Sequence, residues 1–158
     1  MYDRILVPTD GSAEGERALT YAFELAQTHN ATIHALYVVN PSGYGGLPME
    51  TAWEGINDAL RDEGETAVER VEELSPEDVP VETTVLDGSP SQTIVEEATL
   101  DGCDLIVMGT HGRGGIDRLL LGSVTERVVR SAPVPVLTVN VNEELSDQEA
   151  SQPQVAVE

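Results

Sequence analysis

The chain contains no lysine: its eight basic residues are all arginine, set against 29 acidic ones. That absence removes Schiff-base chemistry, which needs an amine nucleophile, and a Walker phosphate loop, which needs a lysine after its last glycine. Cysteine is almost missing too, Cys103 being the only one. No internal disulfide can form, and a place beside Leu105-Ile106-Val107-Met108 points to a buried, inert thiol. Aromatic residues make up 4% of the chain, and the arginines form no basic stripe. Nucleic-acid binding through phosphate contacts and stacking platforms is therefore not expected. No apolar run approaches the roughly 18 residues of a bilayer span. The opening Met1-Tyr2-Asp3-Arg4-Ile5-Leu6-Val7-Pro8 is unlike a secretory signal, so a cytoplasmic protein is expected.

What is present in excess is negative charge, with a formal net charge of -21. Residues 141–158 hold five acids and no arginine, which leaves 24 acids against 8 arginines, a net -16, on residues 1–140. The acidity is thus spread over the whole body and is not an acidic tail for a basic partner. Such a surface repels itself unless salt screens it, and screening contracts to about 3 Å at 1 M. The composition reads as a halophile's surface. A length of 158 residues with 40% hydrophobic residues suits one α/β domain with a single core.

Short apolar runs alternate with longer amphipathic stretches, the pattern of repeated βαβ units on a mostly parallel sheet. Five strands are expected at Ile5–Val7, Ile33–Val39, Val81–Leu86, Leu105–Met108 and Val134–Val139. Four helices fall between them. The first starts near Ala13 and carries Leu19, Ala22, Phe23 and Ala26 on one face. The second carries Met49, Trp53, Ile56 and Leu60, then Val68, Val71 and Leu74, with Gly64 between the halves as a point of bending or weakness. The third and fourth are expected to open on capping boxes, Ser89-Pro90-Ser91-Gln92 and Ser123-Val124-Thr125-Glu126. The domain is expected over 1–141, with 142–158 a polar, aperiodic, disordered tail.

The densest local signal follows the fourth strand, where Gly109-Thr110-His111-Gly112-Arg113-Gly114-Gly115 leads on to Gly122-Ser123 and a helix start. Glycine-rich backbone before a helix N-terminus can bring several N–H groups and the helix dipole to an anion. Composition alone does not separate this from a surface loop whose glycines permit turns. The spacing Gly109, two residues, Gly112, nine residues, Gly122-Ser123 resembles the nucleotide-binding pattern of the ATP-binding branch of the universal stress protein family. The resemblance covers roughly residues 1–140. It includes the strand ending Val7-Pro8-Thr9-Asp10-Gly11-Ser12, the strand ending Tyr37-Val38-Val39, and the closing Ala132-Pro133-Val134-Pro135-Val136-Leu137-Thr138-Val139.

What that likeness implies is ATP, with Mg carried on its phosphates, bound to a single open doubly wound parallel five-stranded sheet with helices on both faces. Asp10 would lie near the sugar, with Pro8 and Thr9 beside it, and Val38 would meet the adenine through its backbone. Gly109 and Met108 would lie near the ribose, and Gly112, Gly122, Ser123 and Val124 would hold the phosphates, with His111 and Arg113 in the same loop. If Asp10 and Gly109 share one ligand, strands one and four are neighbours, which gives the order 3-2-1-4-5. The likeness also implies a homodimer through the last strand, where Val134, Val136, Leu137 and Val139 leave an apolar run at the sheet edge.

Plainer readings stand beside these. Asp10 can cap the first helix, Arg113 can be an exposed salt-paired side chain, and 40–48 can be a connection instead of a flap over the adenine. His111, His29 and His34 show no metal-ligand spacing, so no protein-held metal is expected and His111 reads as solvated. The dinucleotide fingerprint fails because Asp117 stands where a glycine is needed, and no Gly-x-Ser-x-Gly elbow is present. No catalytic residues are expected. A weak ATPase or adenylating enzyme of a related fold, and a structural dimer without nucleotide, are the alternatives to a binding module.

Overall fold

The computed structural model describes residues 1–13, 15–40, 50–111 and 121–140, and of residues 50–54 the backbone alone. The expectations for Met49, Trp53, the flap over 41–48, Gly112, Arg113 and the tail 142–158 lie outside the described side chains. The elements run β1 (Arg4–Pro8), α1 (Gly15–His29), β2 (Thr32–Val39), α2 (Glu50–Leu74), β3 (Val81–Asp87), α3 (Pro90–Leu100), β4 (Leu105–Gly109), α4 (Ser123–Ser131) and β5 (Val136–Val139). All strand pairs are parallel and the order is β3-β2-β1-β4-β5, as expected from a site shared by β1 and β4. The chain winds outward from β1 in one direction to β3, then returns and winds the other way through β4 to β5. Connections therefore diverge between β1 and β4.

The central strands are apolar on both faces because helices cover both, which is why they read as continuous runs and not as alternation. Ile5, Val7, Ile33, Ala35, Tyr37, Leu105 and Val107 face α1 and α2, packing on Leu19, Ala22, Phe23, Val68 and Val71. Leu6, Leu36, Ile106 and Met108 face α3 and α4, packing on Ile94, Ala98 and Val128. Cys103 lies in this second layer, 5% exposed as expected, and burial pushes its thiol up to about 11.

Gly64 does not break α2, which is continuous from Glu50 to Leu74. A Cβ at Gly64 would stand 2.6 Å from Tyr37 Cδ1 and 3.1 Å from Val85 Cγ1. The glycine lets the helix lie close against the sheet, so packing retains a residue that helix propensity disfavours. Both expected capping boxes are corrected. Ser89 is the N-cap of α3, but its side chain makes no cap hydrogen bond, and Gln92 Nε2 donates instead to Glu96 Oε1 at 2.9 Å. At α4 the extended N-cap residue is Gly122 (φ -58, ψ 151), which makes Ser123 the first helical residue. Glu126 then falls one position too late to reach back, and it pairs with Arg130 at 2.8 Å. Strand β5 begins at Val136 and not Val134. Pro135 has no N–H for the ladder, though its carbonyl accepts from Ile106 N at 3.0 Å.

Candidate functional site

The carboxyl ends of β1, β2 and β4 open onto a cavity of about 500 Å³ at the point where the connections diverge. One wall is apolar, built from Leu36 and Val38 on β2, Met108 on β4, and Pro90 and Ile94 at the start of α3. The polar and glycine-rich part of the lining is formed by Thr9 and Asp10 after β1, Gly109 and His111 after β4, and Gly122, Ser123, Val124 and Thr125 opening α4. Every site residue expected from sequence lines this cavity, Pro8 included, save Gly112 and Arg113, which lie outside the described residues. Gly15, Ala18, Leu36, Tyr37, Pro90, Ile94 and Thr125 also line it and were not expected. Leu36 carried a signal, since side chains two apart on a strand share a face with Val38.

The loop after β1 is fixed by its own polar groups. Asp10 Oδ1 accepts from Ser12 N at 2.9 Å and from Ser12 Oγ at 2.5 Å, and Gly11 N donates to Thr9 Oγ1 at 3.1 Å. Gly11 turns the chain with φ 76. Ser12 Oγ accepts from Gly15 N at 3.3 Å, so Ser12 supplies the side-chain contact to the start of α1, and Asp10 holds Ser12 in place.

The end of β4 and the start of α4 are tied together from both sides. Thr110 N donates to Val139 O at 2.9 Å, and Gly122 N donates to Thr110 O at 2.8 Å. Thr125 Oγ1, in a residue only 2% exposed, donates to Gly109 O at 2.9 Å. The first intrahelical bond of α4 runs from Glu126 N to Gly122 O at 2.9 Å. The amides of Ser123, Val124 and Thr125 therefore have no earlier carbonyl on the helix to use. They meet the cavity where the helix dipole is positive, which favours an anion.

His111 is half-buried and not solvated as expected. Its Nδ1 lies 3.0 Å from Thr110 Oγ1, while Nε2 is buried without a hydrogen-bond partner among the described residues. A buried ring nitrogen on the cavity wall is a hydrogen-bonding position for a ligand. Among the described lining residues there is no arginine, and Asp10 is the sole carboxylate. Among the described residues, attraction for an anion comes from the helix amides, the dipole and His111. No helix among the described residues is long and apolar enough to cross a membrane.

Comparison with known proteins agrees with this architecture. A universal stress protein of Methanocaldococcus jannaschii is 44% identical over 140 residues, covering 88% of this chain and 82% of the relative. The solved structure of MJ0577, a hypothetical protein of the same organism, has 29% identity and a TM-score of 0.77, over 89% of this chain and 96% of that one. A universal stress protein from Archaeoglobus fulgidus, solved in complex with dAMP, has 25% identity and a TM-score of 0.61, covering 88% and 98%. Residues 1–140 match the universal stress protein family as a whole, and on that match the chain belongs to it.

Proposed function

We propose that this chain is an ATP-binding stress-response module that works as a homodimer through β5 and responds to nucleotide without a dedicated catalytic apparatus. The observation that carries the reading is that the α4 N-terminal residues and the unpartnered His111 Nε2 line the same cavity as the apolar side chains of Leu36, Val38, Met108 and Ile94. In this reading Val38, Leu36, Met108 and Ile94 receive the adenine, and Asp10, Thr9 and Gly109 lie at the sugar. Gly122, Ser123 and Val124 bind phosphate through their amides, assisted by His111, Gly112 and Arg113, with Mg on the phosphates. Support comes from the cavity volume, which lies within the range of small-molecule sites, and from the dAMP complex of a family member.

The dimer reading is supported by β5 standing at a sheet edge with Leu137 37% exposed. The acidic surface supports the halophile reading, as well as the expectation that nucleic acid is not a partner. The domain is taken as 1–141 with the remainder a tail. Nucleotide analysis of freshly purified protein, followed by equilibrium titration with ATP in molar salt, tests the binding module. Protein that arrives empty and shows no saturable binding would leave a structural dimer in its place. Steady-state release of phosphate above background would instead favour a weak ATPase, for which Asp10, Tyr37 and His111 are the titratable groups among the described lining residues.

A further inference from the structure

A second cluster of chemically competent side chains lies on the α3 face of the sheet, at the opposite end of the strands from the cavity. We propose that His34, Asp101 and Cys103 form a site for a thiophilic divalent cation of the zinc class. His34 lies on β2 and is 2% exposed, Cys103 is 5% exposed, and Asp101 is half-buried. One donor atom from each lies within 4.8 Å of the others. Nothing in the sequence spacing announces this, because the histidine comes from β2 while the other two donors come from the end of α3.

Local structure delivers the donors together. Helix α3 ends in a Schellman motif: Cys103 N donates to Ala98 O at 3.0 Å and Gly102 N to Thr99 O at 3.4 Å, with Gly102 at φ 63. The left-handed glycine reverses the chain so that Asp101 Oδ2 and Cys103 Sγ stand 4.0 Å apart. His34 Nδ1 lies 2.6 Å from Asp101 Oδ2, yet it makes no aligned hydrogen bond there, because the carboxylate is off the ring's N–H axis. The other ring nitrogen is held by Thr84 Oγ1 at 2.9 Å. A histidine with one nitrogen fixed by a neighbour and the other facing a carboxylate and a thiol has the arrangement of a metal ligand. Metal bonds of about 2.0 to 2.3 Å set tetrahedral ligands about 3.5 Å apart, a separation the N–O and S–O distances bracket.

The donor set of imidazole, thiol and carboxylate selects zinc-class ions over Mg or Ca, which prefer oxygen alone. The surrounding charge favours a cation. Glu97 Oε1 is 3.8 Å from His34 Nε2, and Arg4 is shared between two carboxylates, Glu82 and Asp101. Arg4 Nε donates to Asp101 Oδ2 and is the occupant a metal displaces, keeping its second partner Glu82 through Nη2. On coordination the Cys103 thiol proton leaves to solvent and the thiolate takes its place on the metal, so charge and atoms balance.

The test uses the full chain in molar salt with Co(II) as probe and zinc as competitor. The expected result is a thiolate-to-cobalt charge-transfer band that saturates at one ion per chain and is bleached by zinc. The band should vanish in Cys103→Ser, persist in His111→Asn, and need at least tenfold more cobalt in Thr84→Val, the range seen for outer-shell partners. Circular dichroism confirms that each variant is folded. Both His34 and Cys103 are buried, and Cys103→Ser, which exchanges one atom at nearly constant shape, carries the decision. A folded parent with no such band, or a band that survives Cys103→Ser, overturns the assignment.

Discussion

Replacing Gly64 with alanine sets two opposing terms against each other within one helix. Alanine in a helix interior is favoured over glycine by about 1 kcal/mol. The added methyl, however, would sit 2.6 Å from Tyr37 Cδ1 and 3.1 Å from both Tyr37 Cε1 and Val85 Cγ1. Tyr37 is 8% exposed on a central strand and packs in the α1–α2 layer, so its ring has little room to withdraw. Overpacking of this kind costs about 1 to 3 kcal/mol, and the net expectation is a loss of about 1 kcal/mol. For a chain of this size that is a fall of about 3 °C in Tm. Gly55 lies in the same helix with nothing within 4 Å of an added Cβ, so Gly55→Ala should gain up to about 1 kcal/mol. Thermal and urea denaturation of both variants in the same high-salt buffer measures the difference. Tyr37 also lines the cavity, so Gly64→Ala should weaken ATP binding while Gly55→Ala leaves it unchanged. If the two alanines stabilise equally, the close approach of α2 to the sheet is not what retains Gly64.

Gly122→Val should abolish ATP binding by placing a β-branched side chain where phosphate meets the helix amides. Its φ of -58 asks for no glycine-only conformation, so circular dichroism should report a retained fold. Ser123→Ala should be milder than loss of an N-cap, because Ser123 is the first helical residue and its amide survives the change; calorimetric titration beside Gly122→Val ranks the two. Leu137→Arg should convert dimer to monomer in light scattering by placing charge at the β5 edge, and a parent already monomeric over a wide concentration range would contradict the interface. Lowering salt from molar to millimolar should reduce thermal stability by exposing the net -16 on residues 1–140, and an unchanged Tm would remove the halophile reading.

The parts of this fold that sequence makes legible are those whose cause is local. Runs such as Ile5–Val7 and Leu105–Met108 read as strands because helices on both faces demand apolar residues at every position. The order β3-β2-β1-β4-β5 followed from requiring Asp10 and Gly109 to face one ligand, and both line the cavity. What was not legible has its cause across the chain. Gly64 reads as weakness until Tyr37 is placed opposite it, and the box at Ser123 slips by one residue because the neighbouring glycine takes the extended N-cap position. Ile94 and Thr125 enter the cavity through the docking of α3 and α4, which no periodicity encodes.

The two ends of β4 illustrate one principle with opposite signs. After Gly109 the chain reaches the N-terminus of α4, where amides with no earlier carbonyl on the helix and the positive end of a dipole suit an anion. Before Leu105 it leaves the C-terminus of α3, where the dipole is negative and Asp101, Cys103 and His34 suit a cation. Both sites lie on the same face of the sheet, separated by the length of one short strand whose residues from Leu105 to Met108 are buried. Coupling between them would need Ile106 and Met108, which pack with Cys103, Ile94 and Val128 in a single apolar layer, to shift together. That layer is close-packed and nonpolar, so the expected outcome is independence: a zinc-class ion at one end leaves ATP affinity at the other unchanged.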